Sequence, residues 1–205
     1  MWTMTQQPRW FTDFDAGHSQ AYIERFRRMA ADGTDLVGEA RLVDALVAPR
    51  ARILDAGCGT GRIGADLMRR GHDVVGVDVD VELIAAARED HPGPTWLVGD
   101  LSELDLAALG EPRPFDAAII AGNVLIFVAP GTEPAVLSRI AHHVRGDGIV
   151  VAGFALDAGY SLDEFDAHCT AAGLIREHRF ATWDLRPWRT HADYAVTVLR
   201  RPPGS

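Results

Sequence analysis

The sequence predicts an α/β protein whose mostly parallel, doubly wound sheet ends in an antiparallel hairpin, and three observations carry that expectation. Between residues 51 and 154, short apolar runs alternate with segments of helical periodicity, the pattern of strands joined by helical crossovers. The first run passes through a glycine-rich turn straight into a helix, in Ile53-Leu-Asp-Ala-Gly-Cys-Gly-Thr-Gly-Arg62. After Gly173 two further apolar runs follow with no helix between them, and such neighbours pair antiparallel.

In chain order, residues 19–31 read as a helix with Tyr22, Phe26 and Met29 on one stripe, Arg25 and Arg28 beside it, and Asp32-Gly33 ending it. A second helix starts near Leu36, where Leu36, Ala40, Val43 and Val47 repeat at helical spacing until Pro49. Residues 51–56 form the first strand, and residues 62–70 a helix with Ile63 and Leu67 inward. Residues 74–77 repeat the strand, 81–89 the helix, and 95–98 and 115–121 are the third and fourth strands. The longest apolar stretch, residues 117–130, is broken by Gly122 and Asn123 and falls short of the ~20 residues a bilayer span needs, so it reads as a buried strand plus a loop. Residues 133–144 form a helix that buries Val136, Leu137, Ile140 and Val144, before a fifth strand at 149–154. Ser161-Leu-Asp-Glu164 is a capping box opening a helix with Phe165, His168, Cys169 and Ala172 on one stripe and Gly173 at its C-terminal end. Residues 174–182 and 193–200 make the hairpin. The organisation is thus one domain at residues 49–200, a helical segment at 1–48 placed to cover it, and a tail at 201–205.

Composition narrows the function classes. A hydrophobic fraction of 47% over 205 residues suits one folded domain. The 20 Lys plus Arg against 29 Asp plus Glu give a net charge of −9, which repels phosphate backbones, so nucleic acid is not an expected partner. The first ten residues lack an apolar core behind a basic start, and the expected location is the cytoplasm, without a membrane. Cys58 and Cys169 show neither metal-ligand nor disulfide spacing, so both are expected as thiols and no metal is expected.

The chemistry concentrates at the strand ends. Gly57, Gly59 and Gly61 let backbone approach a ligand closely, and the helix that follows offers free N–H groups. Gly59-x-Gly61-x-x-Gly64 also fits a dinucleotide fingerprint, so the glycines alone do not decide. Three acids do more: Asp55 ends the first strand, Asp78 ends the second, where a carboxylate can accept both hydroxyls of a ribose, and Asp100 follows the third in Val98-Gly-Asp-Leu101. In these motifs, over residues 51–130, the sequence resembles class I S-adenosylmethionine-dependent methyltransferases, whose Rossmann-like fold has a seven-stranded sheet closed by a terminal hairpin. The resemblance implies S-adenosylmethionine as cofactor, S-adenosylhomocysteine as product, and a cofactor site at Asp55, Gly57, Cys58, Gly59, Gly61, Arg62, Asp78, Val79, Asp100, Leu101, Ala121 and Asn123. Within it, the glycines face the methionine part, Asp78 the ribose, Val79 and Leu101 the two faces of the adenine near Asp100, and Asn123 the methyl group. Asp55 either meets the cofactor's amino group or holds the loop.

The expected acceptor is a small molecule methylated on O or N. After the fourth strand stands Ala-Gly-Asn-Val124, in place of the Asp/Asn-Pro-Pro-Tyr/Phe of enzymes that methylate base amino groups. Loops at the C-terminal ends of parallel strands line such pockets, so Trp183, Arg186 and Trp188 are candidates for substrate contact together with Tyr22. The N-terminal segment, with Trp10, Phe11, Phe14, His18 and Tyr22, is a candidate lid. A hydroxyl acceptor needs a base, for which His18, Tyr22, Tyr160 and His191 are candidates. The alternatives are a cofactor-binding module without turnover and a nicotinamide-dependent oxidoreductase.

Overall fold

The computed structural model describes residues 7–204. Three helices, α1 (Arg9–Thr12), α2 (His18–Ala31) and α3 (Gly38–Leu46), precede the sheet. Strands and helices then alternate: β1 (Arg52–Ala56), α4 (Arg62–Arg69), β2 (Asp73–Asp78), α5 (Val81–Asp90), β3 (Thr95–Val98) and β4 (Phe115–Ile120). The chain continues through α6 (Val124–Phe127), α7 (Glu133–His143), β5 (Val144–Ala155), α8 (Leu162–Ala171), β6 (Ile175–Phe180) and β7 (Tyr194–Arg200).

All seven strands form one sheet in the order β3-β2-β1-β4-β5-β7-β6. The first five run parallel, and β7 enters antiparallel between β5 and β6, with Val151 opposite Val198. Alternate strand residues feed opposite faces. Leu54, Val75, Phe115 and Ile120 meet α7 and α8 on one side through Leu137 and Phe165. Ile53, Val74, Ile119 and Val198 meet α3 and α4 on the other through Val43 and Leu67. Strand β1 is buried along its whole length, its charged Arg52 and Asp55 included.

Four details depart from the sequence reading. The apolar stretch after β4 does not end as a plain loop: Asn123, at φ 70°, turns the chain into the short helix α6. A turn of 3-10 helix at Leu101–Glu103 and the short α1 were also not anticipated, since neither is long enough to show a period. Strand β5 begins at Val144 instead of residue 149, because Phe115 pairs with Val144 and Ala117 with Ile149, so the intervening residues bulge out at Asp147 (φ 66°). Arg201 belongs to the body of the protein, not to a tail: its N–H donates to Gly148 O at 2.9 Å and its guanidinium to the carbonyls of Ala141 and His142 at the end of α7. The expectation drawn from the first ten residues falls partly on residues 1–6, outside the described residues. Among those described, no helix is long and apolar enough to cross a membrane.

Candidate functional site

The loop between β1 and α4 is held from behind and below. The N–H groups of Gly57 and Cys58 both donate to Val77 O, at 2.8 and 3.0 Å, and Gly59 N–H donates to Asp78 Oδ2 at 2.8 Å. Gly57, at φ 77°, faces α6, and a Cβ there would overlap the Val124 side chain. Behind the loop lies Trp96, whose ring occupies the space that a Cβ at Gly61, Gly64 or Gly76 would need. Trp96 is buried with Cys58, Ile84 and Ala87, and its indole N–H donates to His91 O at 2.9 Å. Gly64, the glycine that completes the dinucleotide-like spacing, therefore makes room for a side chain.

Two of the three strand-end acids reach the cavity of about 440 Å³ that opens in front of this loop. Asp78 lines it, accepting from Gly59 N–H through Oδ2 and from Asp80 N–H at 3.0 Å through Oδ1. Each oxygen keeps a lone pair for a further donor. Burial outweighs these hydrogen bonds and raises the Asp78 pKa to about 6. Asp100 lines the cavity too, with Oδ1 taken by the Ser102 N–H and hydroxyl at 2.8 and 2.7 Å and no hydrogen bond to Oδ2 among the described residues. Asp55 does not line it. Fully buried, it accepts Gly64 N–H at 2.9 Å and holds the loop to the start of α4. Of the two roles expected for Asp55, this geometry supports the structural one.

Cys58, Arg62, Val79, Leu101, Ala121 and Asn123 also line the cavity, as does Gly57, whereas Gly59 and Gly61 do not. Asn123 is partly committed, since its Oδ1 accepts Ala155 N–H at 2.9 Å and ties the β4 loop to the end of β5. Arg62 is gripped by Glu39 at 3.0 and 2.6 Å. Burial pushes the Cys58 thiol well above its usual range, so it is no nucleophile at neutral pH.

The cavity is also lined by aromatic side chains from α1, α2, α6 and the turn between α1 and α2. Trp10 meets Phe14, His18, Tyr22 and Phe127 with ring centroids 4.6 to 6.0 Å apart, and His18 stacks on Phe14 at 3.8 Å. Asp80 anchors this wall, because its Oδ2 accepts the Trp10 indole N–H at 2.7 Å and the Ser19 hydroxyl. Its Oδ1 caps α5 by accepting Glu82 N–H at 2.8 Å. The N-terminal helices are thus joined to the strand end that carries Asp78.

The other sequence candidates lie elsewhere. Tyr160 is buried against Phe154 and Phe165 and hydrogen-bonded to His168 at 2.9 Å, so it is a core residue, not a base. His191 is exposed and does not line the cavity. Trp183 packs on the sheet where Gly153 leaves room and donates to the Tyr194 hydroxyl at 3.3 Å. Arg186 points to solvent beside Asp184, and the Trp188 ring lies 5.7 Å from the Arg179 guanidinium. None of the three faces the cavity, so substrate contact by this loop is not supported. Of the four base candidates only His18 and Tyr22 line it. Trp10, Phe14 and Phe127 form its aromatic wall, and the i, i+4 recurrence of Trp10, Phe14, His18 and Tyr22 was the available signal for the first two.

Comparison with known proteins bears on this arrangement. Residues 53–148 match the family described as a methyltransferase domain. A TehB-like SAM-dependent methyltransferase of Corynebacterium glutamicum is 40% identical with a TM-score of 0.85, over 91% of this chain and 100% of that one. The chain belongs to the S-adenosylmethionine-dependent methyltransferase family. Among curated members of the family, malonyl-[acyl-carrier protein] O-methyltransferase of Pectobacterium atrosepticum is 41% identical over 68% of this chain and 54% of its own length. Magnesium-protoporphyrin O-methyltransferase of Rhodobacter capsulatus is 33% identical over 53% of this chain and 48% of its own. The chain spans about half the length of these curated relatives. The family's cofactor is S-adenosylmethionine, and the residues present fit it: two carboxylates retaining acceptor capacity, Gly57 and Cys58 of the loop, and apolar Val79 and Leu101 all line one cavity.

Proposed function

We propose that this chain transfers a methyl group from S-adenosylmethionine to an oxygen or nitrogen of a small molecule. The observation that carries the reading is the placement of Asp78 and Asp100, from adjacent strand ends, in one cavity that aromatic side chains also line. Asp78 would accept the ribose hydroxyls, Asp100 an adenine amino group, and Val79 and Leu101 would enclose the ring. The Gly57–Cys58 backbone and Asn123 would border the methionine part. Relatives named for magnesium-protoporphyrin and demethylmenaquinone support a small-molecule acceptor. The net charge of −9 favours that over nucleic acid.

Bound S-adenosylmethionine supplies a methyl group already activated by its sulfonium. What remains for the protein is to orient the acceptor in line and keep water out. Trp10, Phe14 and Phe127 would do both, with the segment of α1 and α2 acting as a lid latched through Asp80. Burial raises the Tyr22 pKa, so its phenol stays protonated and acts as a hydrogen-bond donor. His18 is then the group in the cavity able to receive a proton from a hydroxyl acceptor.

Calorimetric titration with S-adenosylhomocysteine, on the wild type and an Asp78→Ala variant checked for folding by circular dichroism, tests the cofactor site. Micromolar binding that the variant loses is expected. A folded wild type with no affinity for the product would remove the reading.

A further inference from the structure

We propose that a second cavity, walled by α2, α4 and the end of α5, binds a small uncharged molecule with an apolar body and a hydroxyl head. The cavity measures about 400 Å³, close to the first at about 440 Å³. Both fall within the range of about 300–1,000 Å³ that small-molecule sites occupy. Its apolar surface comes from Ile23 and Phe26 of α2 and from Leu36 and Val37 of the connection to α3. The two cavities are neighbours that share Phe26 and Arg62. They divide the glycine loop between them: Gly57 and Cys58 line the first and not the second, whereas Thr60 lines the second and not the first. A molecule held in the second cavity therefore touches the loop that borders the first.

Two observations set the class of ligand. Every charged side chain on the wall is already paired: Arg27 with Glu89 and Asp90, Asp35 with Arg41, Arg62 with Glu39, and Arg69 with Asp66. A charged ligand would have to leave water without finding a free counter-charge, so the cavity favours a neutral one. The polar groups left over are neutral as well. Thr60 is 7% exposed, and its hydroxyl has no hydrogen-bond partner among the described residues. The His91 ring also lines the cavity without a hydrogen bond among them, and burial lowers its pKa, so it is uncharged at neutral pH. A buried hydroxyl that lacks a partner gains from a ligand group able to supply one, and a ligand hydroxyl can both donate to Thr60 and accept from it. The apolar side chains take the rest of the molecule out of water.

Amide chemical shifts of the 15N-labelled protein, followed by NMR during titration with phenol, toluene, benzoate and benzylamine, locate the binding and rank the four probes. Phenol should produce saturable shifts at Thr60, Val37 and His91 and bind more tightly than the other three. Loss of one neutral hydrogen bond corresponds to a fall of about three- to tenfold in affinity, which is the expected effect of T60V on phenol and the expected gap between phenol and toluene in the wild type. T60S should keep the phenol affinity, because it keeps the hydroxyl. A30W, which places an indole at a position lining only the second cavity, should abolish the shifts while circular dichroism reports an unchanged fold. Shifts confined to residues that line only the first cavity, such as Trp10 and Asn123, overturn the proposal. So does a T60V variant that binds phenol as the wild type does, or a benzoate or benzylamine affinity equal to that of phenol. None of these outcomes depends on S-adenosylmethionine being the cofactor of the first cavity.

Discussion

Replacing Asp55 by Asn should change how the stability of this protein depends on pH. Asp55 is 1% exposed at the end of β1, with Oδ2 accepting Gly64 N–H at 2.9 Å. Burial raises its pKa from the ordinary 3.8 to about 7, with Asp78 and Glu39 pushing the same way and the Gly64 N–H and Arg62 opposing. A carboxyl raised on folding contributes stability that is fully present below its unfolded pKa and lost as pH rises through the folded one. At ~1.36 kcal/mol for each pH unit separating the two, the full loss is about 4 kcal/mol, of which about 2 to 3 kcal/mol falls between pH 5 and pH 8. Asn keeps an oxygen for Gly64 N–H and has no proton to lose. Its buried NH2 group costs about 1–3 kcal/mol at every pH, so the test lies in the slope and not in the level. In urea unfolding at the two pH values, the wild type should lose about 2 to 3 kcal/mol more than Asp55→Asn. Asp78, also raised, titrates in both proteins and cancels to first order. Parallel losses would refute the assignment of a neutral, loop-holding Asp55.

Trp96→Ala, at 4% exposure, should cost about 3–5 kcal/mol in urea unfolding. Gly76→Ala should be strongly destabilising alone and much less so in the Trp96→Ala background, where the Cys58 Cβ 3.0 Å away still crowds it, and additive effects would contradict the overlap of ring and backbone. Affinity for S-adenosylhomocysteine should rise as pH passes upward through about 6, because the Asp78 carboxylate must be charged to accept ribose hydroxyls. A flat affinity from pH 5 to pH 7.5 in calorimetry would detach Asp78 from that role. Tyr160→Phe should lose about 1 kcal/mol of stability with its hydrogen bond to His168 and leave S-adenosylhomocysteine affinity untouched, and a weakened titration would return Tyr160 to the site.

Strands β1, β2 and β4 were legible because each is a largely buried, mostly apolar run bounded by turns, and the acids because they stand at or just after strand ends. The division of labour among the acids was not legible. Asp55, Asp78 and Asp100 occupy equivalent sequence positions, and only the fold turns Asp55 inward, under α4. The β6–β7 connection misled because density of Trp and Arg resembles a binding loop. The contrary signal was Gly153 inside a strand of otherwise larger residues, a gap that implies a close approach from something bulky, here the Trp183 ring. Gly76 in β2 announces Trp96 in the same way, and Tyr160 was open to misassignment because its partner, His168, lies on the following helix.

The closest approach to both Gly64 and Gly76 is made by one indole. Glycine spacing in such a loop is thus partly an imprint of a third residue remote in sequence. A homologue with a small side chain at the position of Trp96 would lose the closest of these overlaps at both places, with Asp55 and Val74 still near Gly64 and Cys58 still near Gly76. Conversely, a descendant that lost its ligand but kept the indole would still carry the glycines. Read through Trp96, this part of the fingerprint dates the packing of the domain and leaves the history of its chemistry to Asp78 and Asp100.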